Sequence, residues 1–247
     1  MSTAEIPYKF LTSADPPERG NVTAAVTATL REAIITLALK PGEVLDKGAI
    51  CDRLGVSRFP VSEALARLQA EGLVDIMPQR GSMVSRVKIA DVVEFMLIRK
   101  ALEGEAIRVL MAHRPEGVVE ELERNLAEQA RAVKKGDRET FHAFDMEFHE
   151  ILFGSMSFGR IRAVIDSARA NLDRARLLIL DPRRVSNSYN EHRAIVDGIA
   201  TGDAERAVAA MRTHIDTVTA ELLAFARTAP QLFADPERLN DDIALFD

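Results

Sequence analysis

The chain has 247 residues, 47% of them hydrophobic and 28% charged, as expected for a globular protein with room for two domains. It has no Trp and only 5% aromatic residues, which argues against stacking on single-stranded bases. The apolar runs are too short for a membrane span, and the first residues lack the pattern of a secretory signal. The single cysteine, Cys51, excludes an internal disulfide and suits a reducing cytoplasm, which is the predicted location.

The net charge of −6 argues at first against a nucleic-acid partner, but the charge is unevenly distributed. Residues 1–86 carry ten basic and ten acidic side chains, so residues 87–247 account for the whole negative balance. Within residues 47–86 there are six basic side chains and four acidic ones. This small basic excess is compatible with DNA binding and does not by itself predict it.

The N-terminal part of the chain begins with an arm and two predicted helices. Residues 1–20 contain three prolines and no hydrophobic periodicity, which predicts a flexible arm. Apolar residues at helical spacing predict a first helix over Val22–Leu39, ended by the following Pro-Gly pair. A second helix is predicted over about Lys47–Leu54.

The stretch Leu54–Leu68 has the pattern of the turn and second helix of a helix-turn-helix. Gly55 gives the turn its conformational freedom, Ser57 is placed to cap the next helix with its hydroxyl, and Pro60 fits the first turn. The apolar positions form one stripe along this helix: Val61, Ala64, Leu65 and Leu68. Four positions lie off the stripe, where they can contact another molecule: Arg58, Phe59, Ser62 and Ala66. A helix anchored on one side, with an Arg at its exposed N-terminal end, is typical of insertion into the major groove.

Two short strands predict a wing after this motif, and helices follow it. Residues 73–76 and 82–87 flank the turn Pro78-Gln79-Arg80-Gly81, which predicts a hairpin. From there on the pattern predicts helices alone, over about 89–113, 116–135, 137–153, 158–180, 184–201 and 203–228. The predicted fold class is mainly α: an N-terminal winged helix-turn-helix plus a C-terminal antiparallel all-helical bundle of about six helices. The predicted segments are an arm at 1–20, a DNA-binding domain at 21–87, an effector, metal-binding and dimerisation domain at 88–229 and an acidic tail at 230–247.

Three histidines and one aspartate have the spacing of a metal site inside the bundle. Asp145 and His149 are four residues apart, so both side chains leave the same face of one helix. His192 and His214 lie on the fifth and sixth predicted bundle helices. Side chains from facing helices hold metal ions in this way, and imidazole with carboxylate suits Zn, Ni, Mn or Fe. The alternative, that each histidine is an ordinary polar group of the core or surface, stays open from the residues alone.

The sequence resembles the GntR family of transcription regulators, in particular the FadR subfamily with a C-terminal ligand-binding domain called FCD. The resemblance covers about residues 22–228. In the N-terminal part it rests on Leu-Gly-Val-Ser-Arg-x-Pro-Val-x-Glu-Ala-Leu at 54–65, Glu-Gly-Leu-Val at 71–74 and the wing Arg80-Gly81. In the helical part it rests on Arg99 with Glu103, Asp-x-x-Phe-His at 145–149, Glu191-His192 and Ala-x-x-x-Met-x-x-His at 207–214.

The resemblance implies a metal-dependent sensor joined to a DNA-binding domain. It implies four ligands of a divalent metal: Asp145, His149, His192 and His214. Zn is the first expectation for the metal, with Ni, Mn or Fe as alternatives. A small organic acid is the expected effector, because a metal with open positions binds carboxylates. Arg99 would be a second carboxylate clamp, and an exposed i,i+4 ion pair with Glu103 is an equal alternative for it.

The resemblance also implies a repressor that acts as a homodimer on a palindromic operator of double-stranded DNA. The implied DNA contacts are Ser57, Arg58, Phe59, Ser62, Arg67, Arg80 and Gly81. Arg58 is expected to reach a guanine edge, and the backbone at Gly81 is expected to let the wing approach the DNA closely. Family members often have Arg where Ser62 stands. The operator therefore need not follow the guanine-centred pattern that is common in the family.

The runner-up function is a metal-dependent enzyme, or a small-molecule binding protein whose N-terminal domain docks to a partner other than DNA. The sequence has no His-Glu-x-x-His motif, and Glu139-x-x-His142 is a lone copy of a motif that a di-iron bundle needs twice. We therefore expect a regulator and not an enzyme, with no membrane partner.

Overall fold

A computed structural model describes residues 8–11, 22–79, 81–113, 115–154 and 172–240, except the side chain of Asn240. The chain divides into two compact units. The first unit contains the described residues up to Lys88 together with Ala229–Pro236. The second unit contains the described residues of Ile89–Thr228 and those from Glu237 to Asn240.

The described part of the first unit has three α-helices, a small sheet and a short 3-10 helix, Pro230–Leu232. The helices are α1 (Val22–Ile35), α2 (Lys47–Leu54) and α3 (Arg58–Ala70). The strands are β1 (Val44–Leu45), β2 (Val74–Met77) and β3 (Gly81–Val84). The sheet order is β1-β3-β2, with both pairings antiparallel, so β2 and β3 form the predicted wing. β1 is a strand that the sequence pattern does not predict.

The helix α1 ends four residues before its predicted end at Leu39. Leu37 takes a left-handed backbone conformation with φ 60°, and the amide of Leu39 donates to the carbonyl of Ala33 at 2.8 Å. This turn returns Leu39 to the core, where its side chain is fully buried. The apolar spacing therefore continues past the end of the helix because Leu39 is buried by the turn.

The helix-turn-helix has the predicted turn. Gly55 ends α2 in the left-handed conformation, with φ 65°, which a side chain would make costly. Asp46 caps the other end of α2, where its carboxylate accepts from the amides of Gly48 (2.8 Å) and Ala49 (3.1 Å). Both ends of α2 are therefore set by residues close to them in the sequence.

Ser57 occupies the N-cap position of α3, but its hydroxyl makes no capping hydrogen bond. The prediction that Ser57 caps this helix with its side chain is therefore wrong. A capping hydroxyl bonds to the amide of the second or third helical residue, and the third is Pro60, which has no N–H. Ser57 is exposed at the start of the helix.

The predicted apolar stripe of α3 lies at the centre of the first unit's core. Its four side chains are completely buried: Val61, Ala64, Leu65 and Leu68. The helix packs against α1, α2 and β2. This burial determines which side of α3 faces outward.

Residues 8–11, which the sequence assigns to a flexible arm, are held on the first unit. The guanidinium of Arg53 donates to the carbonyls of Leu11 (2.9 Å) and Lys9 (2.9 Å), and the Leu11 side chain is buried. The Tyr8 hydroxyl accepts from the amide of Asp46 at 2.8 Å, next to the start of α2. This short part of the arm therefore supports the helix-turn-helix.

A C-terminal segment, Ala229–Pro236, also belongs to the first unit. Val87 forms a parallel bridge with Phe233, whose side chain is buried. The amide of Val87 donates to the carbonyl of Leu232 (3.1 Å), and its carbonyl accepts from the amide of Ala234 (2.9 Å). The sequence groups 230–247 as one acidic tail, whereas its described residues divide between the two units.

The second unit is built from long helices. They are α4 (Ile89–His113), α5 (Val118–Lys135), α6 (Arg138–Gly154), α7 (which includes residues 172–179), α8 (Pro182–Ala200) and α9 (Ala204–Thr228). α4 packs against α9, α5 packs against α6 and α8, and α8 packs against α9. Most of the helix predicted over 158–180 lies outside the described residues. The predicted fold class is confirmed, and no helix of the described chain is long and apolar enough to cross a membrane.

A close approach between α8 and α9 depends on Gly198. A Cβ atom on Gly198 would lie 2.8 Å from both the backbone nitrogen and the Cα of Ala207, and backbone atoms in a packed helix cannot easily move aside. Gly104 on α4 differs, because a Cβ there would lie 3.5 Å from Val208 Cγ1, an ordinary contact. The packing therefore requires glycine at position 198 but not at position 104.

We expect Gly198→Ala to destabilise the protein by about 1–2 kcal/mol, because the cost of overpacking exceeds the gain in helix propensity. Gly104→Ala is the matched control, since it makes the same change inside a helix without the clash. It should be neutral, or stabilising by up to about 1 kcal/mol. Midpoints of urea unfolding measure both effects, and equal midpoints for the two variants would contradict the steric argument.

Candidate metal centre and nucleic-acid interface

The four side chains predicted as metal ligands come together inside the second unit. Asp145 and His149 lie on α6, His192 on α8 and His214 on α9, and none is more than 6% exposed. Each offers one ligand atom, and the four atoms lie within 4.8 Å of one another. Three helices therefore supply a cluster that is small enough to surround one ion.

Each of the three histidines is oriented by a hydrogen bond at its Nδ1 atom. The pairs are His149 with Glu103 Oε2 of α4 (2.7 Å), His192 with Gln129 Oε1 of α5 (2.9 Å) and His214 with Glu191 Oε2 of α8 (2.7 Å). Carboxylate and amide oxygens only accept hydrogen bonds, so Nδ1 is the donor in every pair. In a neutral ring the lone pair then lies on Nε2, on the opposite side of the imidazole.

Burial keeps these imidazole rings neutral. It lowers the pKa of His149 and His192 well below the usual value, and the pKa of His214 to about 3. Among the described residues, none is a hydrogen-bond partner for the Nε2 atom of any of the three rings. A buried nitrogen without a partner costs stability unless another group takes its lone pair.

Asp145 supplies a carboxylate that stays ionised. Burial is the largest single effect on the pKa of Asp145 and would raise it, but the electrostatic interactions with Arg176 and, more weakly, with the neighbouring histidines together outweigh burial and hold this pKa well below its usual range. Arg176 donates to Asp145 Oδ2. The other oxygen, Oδ1, lies 3.6 Å from His192 Nε2, which is too far for a hydrogen bond, and it has no partner in the described part of the chain.

These observations fit a divalent metal ion. Neutral imidazole nitrogen and ionised carboxylate oxygen are ordinary ligands of such ions. The hydrogen bonds at Nδ1 are of the kind that orient metal-binding histidines and fix their tautomer. Because the cluster has no thiolate, its chemistry suits Zn, Ni, Mn or Fe without distinguishing between them.

Arg99 is buried next to this cluster and uses only part of its guanidinium. Its Nε donates to Glu103 Oε1, while Oε2 of the same carboxylate binds His149. The i,i+4 ion pair with Glu103 thus forms in the interior, at 5% and 1% side-chain exposure, and not on the surface. Nη1 and Nη2 of Arg99 are buried and have no hydrogen-bond partner within the described ranges. This edge of the guanidinium has the geometry to bind a carboxylate.

In the first unit, the predicted DNA contacts lie on α3 and in the wing. Four of those at the start of α3 and along it are exposed: Ser57, Arg58, Phe59 and Arg67. Ser62 is half-buried. Gly81 begins β3 with φ 90°, and a Cβ there would meet no atom within 4 Å. Backbone conformation, and not lack of space, therefore favours glycine at this position. Arg80 lies outside the described residues.

The residues that orient the candidate metal ligands were not predicted from the sequence pattern. Gln129 and Arg176 have no local signal, since a polar residue on an amphipathic helix has the pattern of a surface residue. Glu103 and Glu191 stand in the motifs Arg-x-x-x-Glu and Glu-His that carry the resemblance. A metal-binding histidine needs a hydrogen-bond acceptor at its second nitrogen. This requirement is the signal by which such carboxylates could have been found.

Comparisons with known proteins match both units of the chain. Residues 94–217 match the FCD domain, and residues 22–84 match the family described as bacterial regulatory proteins, gntR family.

Relatives along most of the chain are transcriptional regulators. An "Uncharacterized HTH-type transcriptional regulator in unstable DNA locus" of Streptomyces ambofaciens is 38% identical over 207 residues, which cover 83% of this chain and 86% of that protein. The HTH-type transcriptional repressor RspR of Escherichia coli (strain K12) is 29% identical over 191 residues, covering 77% and 84% respectively. The crystal structure of a putative transcriptional regulator GntR from Rhodococcus sp. RHA1 has a TM-score of 0.68 at 24% identity, covering 82% of this chain and 97% of that one. This last likeness concerns the fold alone.

Proposed function

Because the chain belongs to the GntR family of bacterial transcriptional regulators and carries an FCD domain, we propose that it is a repressor controlled by a metal-dependent sensor domain. The chain binds DNA through its helix-turn-helix and is a regulator, not an enzyme, so the runner-up function is wrong. An FCD domain implies a small-molecule effector. The proposal adds the sign of regulation, the assembly, the metal and the class of effector.

Repression is supported by the names of two relatives. One is RspR of Escherichia coli. The other is a probable D-xylose utilization operon transcriptional repressor of Paenarthrobacter nicotinovorans, 28% identical over 166 residues that cover 67% of this chain and 73% of that protein. We propose a homodimer, because two copies related by a two-fold axis match the two half-sites of a palindromic operator. Its place of action is the bacterial cytoplasm, where the DNA lies.

The proposed metal ligands are Asp145, His149, His192 and His214. The observation that supports them is a set of three imidazole nitrogens and one carboxylate oxygen, buried close together with no other partner in the described chain. When bound, a divalent ion would supply a Lewis-acidic position that attracts carboxylates. Zn is the first expectation for the ion, with Ni, Mn and Fe as alternatives.

The proposed effector is a small organic acid that also contacts Arg99. A divalent ion would add positive charge to a buried site, and an anionic ligand offsets such charge. Arg99 and His149 bind the same carboxylate, that of Glu103, and both Nη atoms of Arg99 have no partner among the described residues. A guanidinium fork binds a carboxylate through two parallel hydrogen bonds. The acid controls DNA binding only if it binds one conformation of the protein more tightly than another.

We expect metal removal to lower the melting temperature. An ion present at a hundredfold excess over its dissociation constant stabilises the folded state by about 2.7 kcal/mol. Thermal unfolding with a chelator, and after addition of Zn, Ni or Mn, measures this shift. His192→Ala should lose the metal-induced shift, whereas His113→Ala, on the exposed end of α4, should keep it. An equal metal-induced shift in the two variants would contradict the proposed ligand set.

Calorimetric titration with small mono- and dicarboxylic acids tests the effector. We expect the affinity of a bound acid to fall at least tenfold after chelation, and also in Arg99→Gln, because each removes a charged contact worth about 1.5–3 kcal/mol. Arg108→Gln is the control on the same helix, since Arg108 pairs with Glu205 at the surface. Unchanged affinity after chelation would exclude the metal from effector binding.

The proposed base contact of highest energy is Arg58, with Ser57, Phe59, Ser62, Arg67, Arg80 and Gly81 as its neighbours in the interface. Arg58→Ala should weaken binding to duplexes selected from the organism's genome by about 1–3 kcal/mol, while binding to random DNA changes less. Arg212→Ala, an exposed arginine on α9, is the control. Fluorescence anisotropy at one fixed salt concentration measures both affinities, and an unchanged ratio of specific to random binding would contradict the role of Arg58.

A further inference from the structure

The outward face of α3 is apolar along its centre. With 3.6 residues per turn, Phe59, Ala66 and Ala70 lie on the side of the helix opposite the buried stripe. All three are exposed. Phe59 is 72% exposed, the highest value among the large hydrophobic side chains of the described chain. We call Phe59, Ala66 and Ala70 the apolar ridge.

Polar side chains border the apolar ridge but do not cover it. Arg58 and Ser62 lie on one side of the ridge, and Glu63 and Arg67 lie on the other. The side chain of Ser62 is too short to cover the phenyl ring of Phe59, in agreement with the high exposure of that ring.

The chemistry of the major groove limits what such a ridge can recognise. A phenyl ring and an alanine methyl neither donate nor accept hydrogen bonds, so they cannot distinguish bases by polar groups. The apolar group that base edges present in the major groove is the C5 methyl of thymine. Phe and Ala side chains are among those that contact it.

We infer that α3 recognises thymine methyl groups through its apolar ridge, with Phe59 as the main specificity-determining residue and Ala66 as a second contact. This inference rests on the proposed function, in which α3 enters the major groove. Phe59 lies in the first turn of α3, the part of a recognition helix that contacts base edges. The half-site therefore contains a thymine at the position that Phe59 contacts.

Replacement of thymine by deoxyuridine tests the inference, because it removes the methyl group and keeps every hydrogen-bonding atom. The probe is the half-site duplex that the wild-type protein enriches from a random library, with each thymine replaced in turn. We expect replacement of the thymine that Phe59 contacts to weaken wild-type binding about three- to tenfold, as expected for loss of a buried methyl. The same replacement should have no effect on Phe59→Ala, and should weaken Phe59→Leu, which keeps an apolar side chain.

Two controls separate the inference from its premise. Phe59 is exposed, so Phe59→Ala should unfold at the same urea concentration as the wild type, and Gln69→Ala on the same helix should respond to deoxyuridine like the wild type. If no deoxyuridine duplex binds more weakly while Arg58→Ala still loses specific binding, the methyl contact is wrong and the proposed function stands. If the wild type enriches no sequence, both fail. If Phe59→Ala changes the oligomeric state, the ridge is a protein contact and the inference is overturned.

Discussion

The helical unit depends on three hydrogen bonds of its interior, each from a buried imidazole Nδ1 to an oxygen of another helix. They connect α6 with α4, α8 with α5, and α9 with α8. A buried polar group that loses its partner costs about 1–3 kcal/mol, so sliding any of these helices by one turn would be strongly unfavourable. The same bonds direct the three Nε2 atoms toward one another. The helix register that satisfies the Nδ1 atoms is thus also the register that assembles the candidate metal site.

The sequence pattern is enough to predict the proposed ligands of this site, but not the hydrogen-bond partners that orient them. Asp145 and His149 can be paired from their spacing, because a helix places residues four apart on one face. The contact of Arg176 with Asp145, or of Gln129 with His192, joins helices far apart in the sequence, and no local pattern encodes it. The ion pair between Arg99 and Glu103 does form, but in the interior and not on the surface. Its i,i+4 spacing could not show this, because the burial comes from neighbouring helices.

A similar division between local and distant determinants applies to the DNA-binding unit. The turn at Gly55 is local, and it is predictable because few residues adopt a left-handed conformation at low cost. The absent side-chain cap at Ser57 is also a local feature, and Pro60 contributes to it by removing one of the two amides that a capping hydroxyl can bond to. The strand β1 and the bridge between Val87 and Phe233 are not predictable in this way, because each depends on a partner far along the chain.

Two chain segments connect the helices of the candidate metal site to the DNA-binding unit. Glu103 lies on α4 and His214 on α9, so both helices contribute to the candidate site. α4 follows Val87 after one intervening residue, and α9 continues directly into the segment Ala229–Pro236. Within the DNA-binding unit these two chain segments are bonded to each other at Val87 and Phe233, just after the wing strand β3. A ligand that moves α4 relative to α9 would therefore act on a hydrogen-bonded pair at the base of the wing.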